Sequence, residues 1–135
     1  MLDVFATLRV GILTTGDELV APGGPREAQQ IYDSNGLMLG TLAAGMGAHV
    51  VRTVHMGDDE RAIHATLRAL RAQFDLIVTT GGASVGERDM TRSALTSLGA
   101  SFVLRGMRMK PGKPAALARL FVRASSGFGG QCSEQ

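Results

Sequence analysis

Short apolar runs alternate with amphipathic segments along this chain, and that alternation constrains its fold more than any other feature. Runs at 9–14, 49–56, 76–80 and 101–109 carry Val, Ile, Leu and Thr and are typical of strands, and 115–122 predicts a last strand. Helical spacing of apolar residues predicts helices over about 36–46, from Asp58 or Asp59 to Phe74, and over about 89–98. The order β-α-β-α-β-α-β predicts an α/β fold with a mostly parallel sheet and helices on both faces.

The boundaries of these elements follow from capping and turn residues. Ser34 is a candidate N-cap for the first helix, and Asp58 or Asp59 for the second. The Gly- and Pro-rich stretch 17–30 predicts an irregular excursion. We expect one domain over residues 1–123, followed by a flexible or non-native tail, because 124–135 is small and polar.

Composition excludes several classes of partner. A net charge of +2, aromatic residues at only 4% and the lack of Trp argue against a nucleic-acid-binding surface. The chain contains neither a run of eighteen apolar residues nor a basic leader followed by an apolar segment, so we expect no membrane association. Cys132 is the single cysteine, which fits a reducing cytoplasm.

A Gly-rich loop follows the strand 76–80. In parallel sheets ligands bind at the carboxyl ends of the strands, and glycines let backbone N–H groups approach an anion beside a helix N-terminus. Ser84 would add a hydroxyl donor, and Asp89 suits a metal ion or a ribose or pterin donor. The alternative is a plain strand-to-helix turn in which Asp89 is only the N-cap.

Lys110 and Lys113, the only lysines in the chain, lie in the turn KPGKP. Two compact ammonium groups on a turn stiffened by prolines suit a small tetrahedral oxyanion or a phosphate. The alternative is a pair of solvated lysines on a surface turn.

Acidic residues follow the first two strands or precede helices. Oxygen ligands from separate loops can hold Mg²⁺ beside a phosphate, whereas capping and turn formation are the simpler interpretation for Asp33, Asp58 and Asp59. Glu18 has no comparable structural role as a cap or turn residue in the sequence. The three histidines show no zinc spacing, and neither a G-x-S-x-G elbow nor a Walker A motif occurs.

Four motifs together carry a family resemblance: TTGDEL (14–19), IYDSN (31–35), TTGGASVGERD (79–89) and MKPGKP (109–114). From about Arg9 to Leu120 the chain resembles the MoeA/gephyrin family of molybdopterin molybdenumtransferases. The resemblance implies a three-layer α/β/α molybdopterin-binding domain. It also implies molybdate and adenylylated molybdopterin as substrates, AMP as a product, and assistance by Mg²⁺.

The resemblance assigns roles residue by residue. Lys110, Lys113 and Pro114 would belong to the molybdate pocket, and Glu18 and Asp59 would be supporting acidic residues of the active site. Asp89 would be both catalytic and the metal ligand. The residues implied to bind the pterin-nucleotide are Thr15, Gly16, Asp17, Gly81, Gly82, Ser84, Val85 and Gly86.

Two other functions compete with molybdenum insertion. A molybdopterin adenylyltransferase would use the same Gly-rich loop, but the KPGKP turn counts against it. A non-catalytic molybdopterin-binding module is the other alternative, because family members are several times longer than this chain. For the same reason we expect the isolated domain to be inactive and the full-length protein to be a homo-oligomer.

Overall fold

The computed structural model describes residues 6–81, 89–108 and 115–121. Within these ranges the strands are β1 (Arg9–Thr15), β2 (Leu19–Val20), β3 (Ile31–Tyr32), β4 (His49–Met56), β5 (Leu76–Thr80), β6 (Ser101–Leu104) and β7 (Leu117–Arg119). The helices are α1 (Ser34–Gly45), α2 (Glu60–Leu70) and α3 (Met90–Ser97).

Strand β1 forms the centre of a three-stranded parallel sheet in the order β4-β1-β5. Thr14 lies opposite His55 of β4 on one side and Thr80 of β5 on the other. Because all three strands run the same way, their carboxyl ends meet at one edge. The predicted parallel sheet is confirmed, and the strands ending at Thr15 and Thr80 share an edge as expected.

Helices cover both faces of this sheet. Side chains of a strand point alternately to its two faces, and here the δ-methyl of Ile12 contacts α1 at Gly40. The neighbouring Leu13 points the other way, into a cluster built by α2 and α3. The two adjacent residues therefore define three layers, helix, sheet and helices, which confirms the predicted α/β fold class.

The main core lies between the sheet and the α2–α3 pair. Ile63, Leu67 and Leu70 recur at helical spacing on α2 and are fully buried, together with Phe74 and Ala94. Truncating a buried Leu of this kind to Ala costs about 2–5 kcal/mol. This buried cluster holds α2 and α3 in place behind the carboxyl edge of the sheet.

Each of the three helices begins at an aspartate. The side chains of Asp33, Asp59 and Asp89 accept backbone N–H groups of the first turn, which satisfies donors that have no partner within the helix. The predicted cap Ser34 is wrong by one position, since Asp33 is the cap and Ser34 is the first helical residue. For α2 the sequence allowed either Asp58 or Asp59 as the N-cap, and the structure shows that it is Asp59.

An ion pair closes the opposite, amino edge of the sheet. Arg9 Nη2 lies 2.8 Å from Asp75 Oδ1, and the backbone N–H of Arg9 donates to Asp75 Oδ2 at 2.9 Å. These bonds, the side-chain one foremost, lower the pKa of Asp75 to about 2, and the same partner raises the pKa of Arg9. Both groups are solvent-exposed, so this pair lies away from the carboxyl edge and from the core.

Two features of the fold differ from the sequence-based expectation. Strands β2 and β3, two residues each, form a small parallel pair at the borders of the predicted excursion 17–30. The strand predicted at 101–109 is shorter, ending at Leu104, and it pairs antiparallel with β7 instead of extending the parallel sheet. The predicted tail, 124–135, lies outside the described residues.

Candidate functional site

The carboxyl edge of the parallel sheet brings together the segments that follow β1, β4 and β5. Thr15, the last residue of β1, lies opposite Met56 of β4, and the N–H of Gly16 donates to the Met56 carbonyl at 3.0 Å. Thr80 ends β5 beside Thr14. The segments beginning at Gly16, Gly57 and Gly81 therefore leave the sheet side by side.

Gly81 makes the closest approach between two of these segments. Its φ of +100° lies in a region that L side chains rarely adopt. A Cβ built on Gly81 would overlap the Thr15 carbonyl oxygen and lie 2.6 Å from Thr15 Oγ1. Only glycine fits here, so the start of the Gly-rich loop is fixed against the end of β1.

Thr15 carries a buried hydroxyl at this contact. The residue is 2% exposed, and its Oγ1 has no hydrogen-bond partner among the described residues. A buried hydroxyl without a partner is costly in an apolar interior. It is therefore a polar group available beside the start of the Gly-rich loop.

Asp17 connects the β1 and β4 segments. Its Oδ1 accepts the backbone N–H of Asp58 at 3.0 Å. A Cβ on Gly57 would lie 2.5 Å from the same oxygen, so a larger residue at that position would displace the Asp17 carboxylate. Asp17 thus fixes the loop between β4 and α2, and its side chain is exposed to solvent.

Glu18 and Asp59, the two predicted supporting acids, differ in their surroundings. Asp59 Oδ1 accepts the N–H groups of Arg61 at 2.8 Å and Ala62 at 3.2 Å, so its carboxylate is committed to capping α2. The exposed Glu18 carboxylate folds back over the Cα of Gly16 and has no hydrogen-bond or ion-pair partner in the described part of the chain. Of the two, Glu18 is the acid whose carboxylate has no partner among the described residues.

Asp89 is the last residue of the Gly-rich loop and the N-cap of α3. Its Oδ1 accepts the backbone N–H of Arg92 at 2.8 Å, and its Oδ2 lies 3.2 Å from Arg92 Nε, an ion pair without hydrogen-bond geometry. Both oxygens therefore have a partner within α3. The capping interpretation of Asp89 holds, and its predicted role as a metal ligand stays a prediction.

A cleft of about 610 Å³ is lined by the residues of β5. Gly81 and Asp89, the two described ends of the Gly-rich loop, both line it, with Thr80, Thr91 and Arg92. The lining also includes the apolar side chains of Phe74, Leu95 and Phe102. A ligand held by the loop would therefore have an apolar surface on one side.

The sequence analysis missed one polar network at this edge. The buried hydroxyl of Thr14 donates to Asp33 Oδ2 at 2.7 Å, while Asp33 Oδ1 accepts the N–H of Gly36. His55 Nδ1 lies 3.4 Å from the Thr14 hydroxyl. The network fixes the N-terminus of α1 against β1 and β4. The available signal was a pair of threonines ending an otherwise apolar strand.

The other predicted site residues lie outside the described residues: Gly82, Ser84, Val85, Gly86, Lys110, Lys113 and Pro114.

Among residues 6–81, 89–108 and 115–121, no group of three or more His, Cys, Asp or Glu side chains is placed to hold a metal ion. None of the helices in those ranges is both long and apolar enough to span a bilayer. The described geometry thus assembles Thr15, Gly16, Asp17, Glu18, Asp59, Gly81 and Asp89 around one edge of the sheet.

Comparison with known families and proteins agrees with this picture. Residues 11–130 match a family described as a probable molybdopterin binding domain. The chain is 37% identical over 116 residues to a molybdopterin molybdenumtransferase of Haemophilus influenzae, and 36% identical over 126 residues to molybdopterin molybdenumtransferase 2 of Mycobacterium tuberculosis. These matches cover 86% and 88% of the chain.

A solved structure shares the fold as well. The molybdopterin biosynthesis MoeA protein from Pyrococcus horikosii superposes with a TM-score of 0.75 at 29% sequence identity, covering 87% of this chain. The match covers 28% of that structure, and the chain spans 28% and 31% of the two enzymes above. This chain therefore corresponds to one part of each relative.

Proposed function

The chain belongs to the family of probable molybdopterin binding domains, and from this premise we propose that it is the catalytic domain of a molybdopterin molybdenumtransferase. The proposed reaction inserts molybdate into adenylylated molybdopterin and releases AMP. The observation that carries the proposal is the contact between Gly81 and Thr15, which joins the Gly-rich loop to the TGDEL segment at the carboxyl edge of a parallel sheet. Ligands of open α/β sheets bind at that edge.

The anionic substrate would be bound by backbone groups. In this proposal the N–H groups of Gly81, Gly82, Val85 and Gly86 and the Ser84 hydroxyl approach the pterin-nucleotide phosphates, helped by the positive end of α3. Thr15 Oγ1 is the buried hydroxyl beside the start of that loop. Gly16 and Asp17 continue the same surface at the end of β1.

In this proposal the site must neutralise the negative charges of its two substrates. Molybdate is a dianion and the pterin substrate is also anionic, so bringing them together requires fixed positive groups. Lys110 and Lys113, held by the turn that ends at Pro114, are the proposed molybdate ligands. Glu18 and Asp59 are the proposed supporting acids.

Magnesium has a narrower place in the proposal. The described residues do not by themselves form a metal site. Asp89 is the proposed Mg²⁺ ligand, because a carboxylate can accept up to about four hydrogen bonds or ligand contacts. Magnesium in such sites is typically held by one or two carboxylates and by the phosphates of the substrate.

We also propose a cellular compartment and an oligomeric state for the protein. Molybdenum insertion would take place in the cytoplasm, which suits a chain with one cysteine. The longer protein would be a homo-oligomer, with small molecules rather than nucleic acid or membrane as its other partners.

Release of AMP tests this function. A full-length protein that contains this domain is mixed with adenylylated molybdopterin and Mg²⁺, with and without molybdate, and nucleotides are separated by chromatography; the isolated chain, expected to be inactive, is assayed beside it. We expect AMP to form only when molybdate is present. Formation of adenylylated molybdopterin from ATP and molybdopterin would support adenylyl transfer instead. Tight binding of the substrate without AMP release under any condition would favour a non-catalytic binding module.

A further inference from the structure

Arg92 is a half-buried arginine in the first turn of α3. Its side chain is 34% exposed, and it lines the same cleft as Gly81 and Asp89, the two described ends of the Gly-rich loop. Among the described residues one other arginine lines this cleft, Arg71, which is the C-cap of α2 and lies at the end of that helix remote from Asp59. Arg92 is therefore the arginine of the cleft that adjoins the Gly-rich loop.

Three contacts fix the position of the Arg92 guanidinium group. Its Cζ lies 5.8 Å from the centre of the Phe102 ring, which is a cation–π distance. Its Nε lies 3.2 Å from Asp89 Oδ2, and its Nη2 lies 3.5 Å from the carbonyl oxygen of Arg105. Because Phe102 belongs to β6 and Asp89 to the loop, the guanidinium is held between these two segments.

These contacts leave most hydrogen-bond donors of Arg92 unused within the described part of the chain. A guanidinium carries five N–H donors. Nε makes no hydrogen bond, because its contact with Asp89 lacks the geometry. The bond from Nη2 to the Arg105 carbonyl is long for a hydrogen bond. Since unsatisfied donors of a half-buried cation are costly, a bound anion would stabilise this group.

The connections at the carboxyl edge of the sheet are rich in negative charge. The segments that follow β1 and β4, together with the residue before α3, contribute five acids: Asp17, Glu18, Asp58, Asp59 and Asp89. An anionic substrate that approaches this edge is repelled unless cations lie beside it. Arg92 supplies a positive charge on the side of the edge where the Gly-rich loop meets the cleft.

We propose that Arg92 binds a phosphate group of the pterin-nucleotide, beside the backbone N–H groups of the Gly-rich loop. A guanidinium binds phosphate through two parallel N–H···O bonds, and its planar shape allows it to stack on an aromatic ring at the same time. The inference rests on the proposed function, which supplies the nucleotide. It assigns Arg92 to phosphate rather than to molybdate, because Arg92 adjoins both described ends of the loop.

Calorimetric titration with adenylylated molybdopterin in the presence of Mg²⁺, and separately with molybdate, tests the proposal. Arg92→Gln should bind the nucleotide about tenfold or more weakly, since it loses a charge-assisted contact, and should bind molybdate like wild type. Its nucleotide affinity should also depend less on salt, which a purely structural role would not change. Arg92→Lys keeps the charge beside Asp89 but not the fork, so its affinity should lie between the two.

Arg105→Gln is the matched control. Arg105 stacks on the same Phe102 ring, with its Cζ 5.0 Å from the ring centre, but it does not line the cleft. This variant should bind adenylylated molybdopterin like wild type. Circular dichroism checks that all variants fold, and Arg92→Lys carries the test should Arg92→Gln not fold.

The outcomes separate this inference from the proposed function. A folded wild type that does not bind adenylylated molybdopterin would overturn both. Where wild type binds, nucleotide affinities of the Arg92 variants equal to that of wild type would overturn the inference alone, and so would an equal loss in Arg105→Gln. A loss of molybdate affinity in Arg92→Gln as large as its loss of nucleotide affinity would also overturn the assignment to phosphate.

Discussion

The backbone of Gly81 packs against the end of β1 so closely that a Cβ at this position would overlap the carbonyl oxygen of Thr15. With φ at +100°, Gly81 also occupies a region unfavourable for any other residue. This contact couples the start of the Gly-rich loop to the TGDEL segment.

Gly81→Ala should destabilise the chain by about 3 kcal/mol or more, because steric overlap adds to a backbone strain of about 1–3 kcal/mol. Gly99→Ala is the matched control, since Gly99 has φ +82° but open space around its Cα. That variant should lose only the strain contribution. Urea denaturation of both measures the difference, and equal losses would mean that the Gly81–Thr15 contact is not rigid.

Asp59 combines a structural task with a proposed functional one, and two substitutions separate them. Asp59→Ala should lower the free energy of unfolding by about 1 kcal/mol, because the Arg61 and Ala62 N–H groups lose their acceptor. Asp59→Asn keeps an acceptor oxygen and should be nearly as stable as wild type. If Asp59→Asn also keeps full AMP-releasing activity, the carboxylate charge has no catalytic role.

The Arg9–Asp75 pair predicts a pH dependence of stability. The pKa of Asp75 is about 2 in the folded chain, below the unfolded value of about 3.9. The pair therefore stabilises the fold fully above that unfolded pKa, and its contribution is lost as pH falls from about 4 to about 2. Asp75→Asn should flatten the curve in that window, as measured by denaturation at stepped pH. An unchanged slope would contradict the assignment.

The sequence predicted the elements with strong local signals. β1 and β5 follow from their short apolar runs, and the stripe of α2 follows from the helical spacing of its apolar residues. The shared edge of β1 and β5 follows from their parallel order. The cap of α1 was placed at Ser34 because Asp33 and Ser34 are both good capping residues, and local preference does not choose between neighbours. The Thr14–Asp33 bond joins residues 19 positions apart, which no local pattern encodes.

Short strands were the hardest to predict. β2 and β3 have two residues each, too few to show a period of two. β6 was predicted to join the parallel sheet, but its pairing with β7 is set by contacts between distant segments. At the candidate site, the sequence predicted that Asp17, Glu18 and Gly81 lie at the same edge of the sheet. For Asp59 and Asp89 it allowed two alternatives, a helix cap or a residue of the active site, and the structure shows both as caps.

Lys113 provides a test of the molybdate pocket. Lys113→Ala should weaken molybdate binding about ten- to hundredfold, since a charge-assisted contact contributes roughly 1.5–3 kcal/mol. Lys113→Arg should not restore the affinity, because a guanidinium is larger and forked. Sulfate should compete, and salt should weaken binding. Calorimetric titration measures all four effects. Molybdate affinity equal to wild type in Lys113→Ala would remove these lysines from the site.

The central claim is that this chain binds adenylylated molybdopterin at the carboxyl edge of its sheet. Calorimetric titration of the purified chain with that compound, in the presence of Mg²⁺, tests it most directly. We predict saturable binding at one site per chain, weakened about tenfold or more in Asp89→Asn, which keeps an acceptor for the cap of α3 but loses the carboxylate charge. A folded wild-type chain that does not bind the compound, or an Asp89→Asn variant that binds it as tightly, would contradict the account.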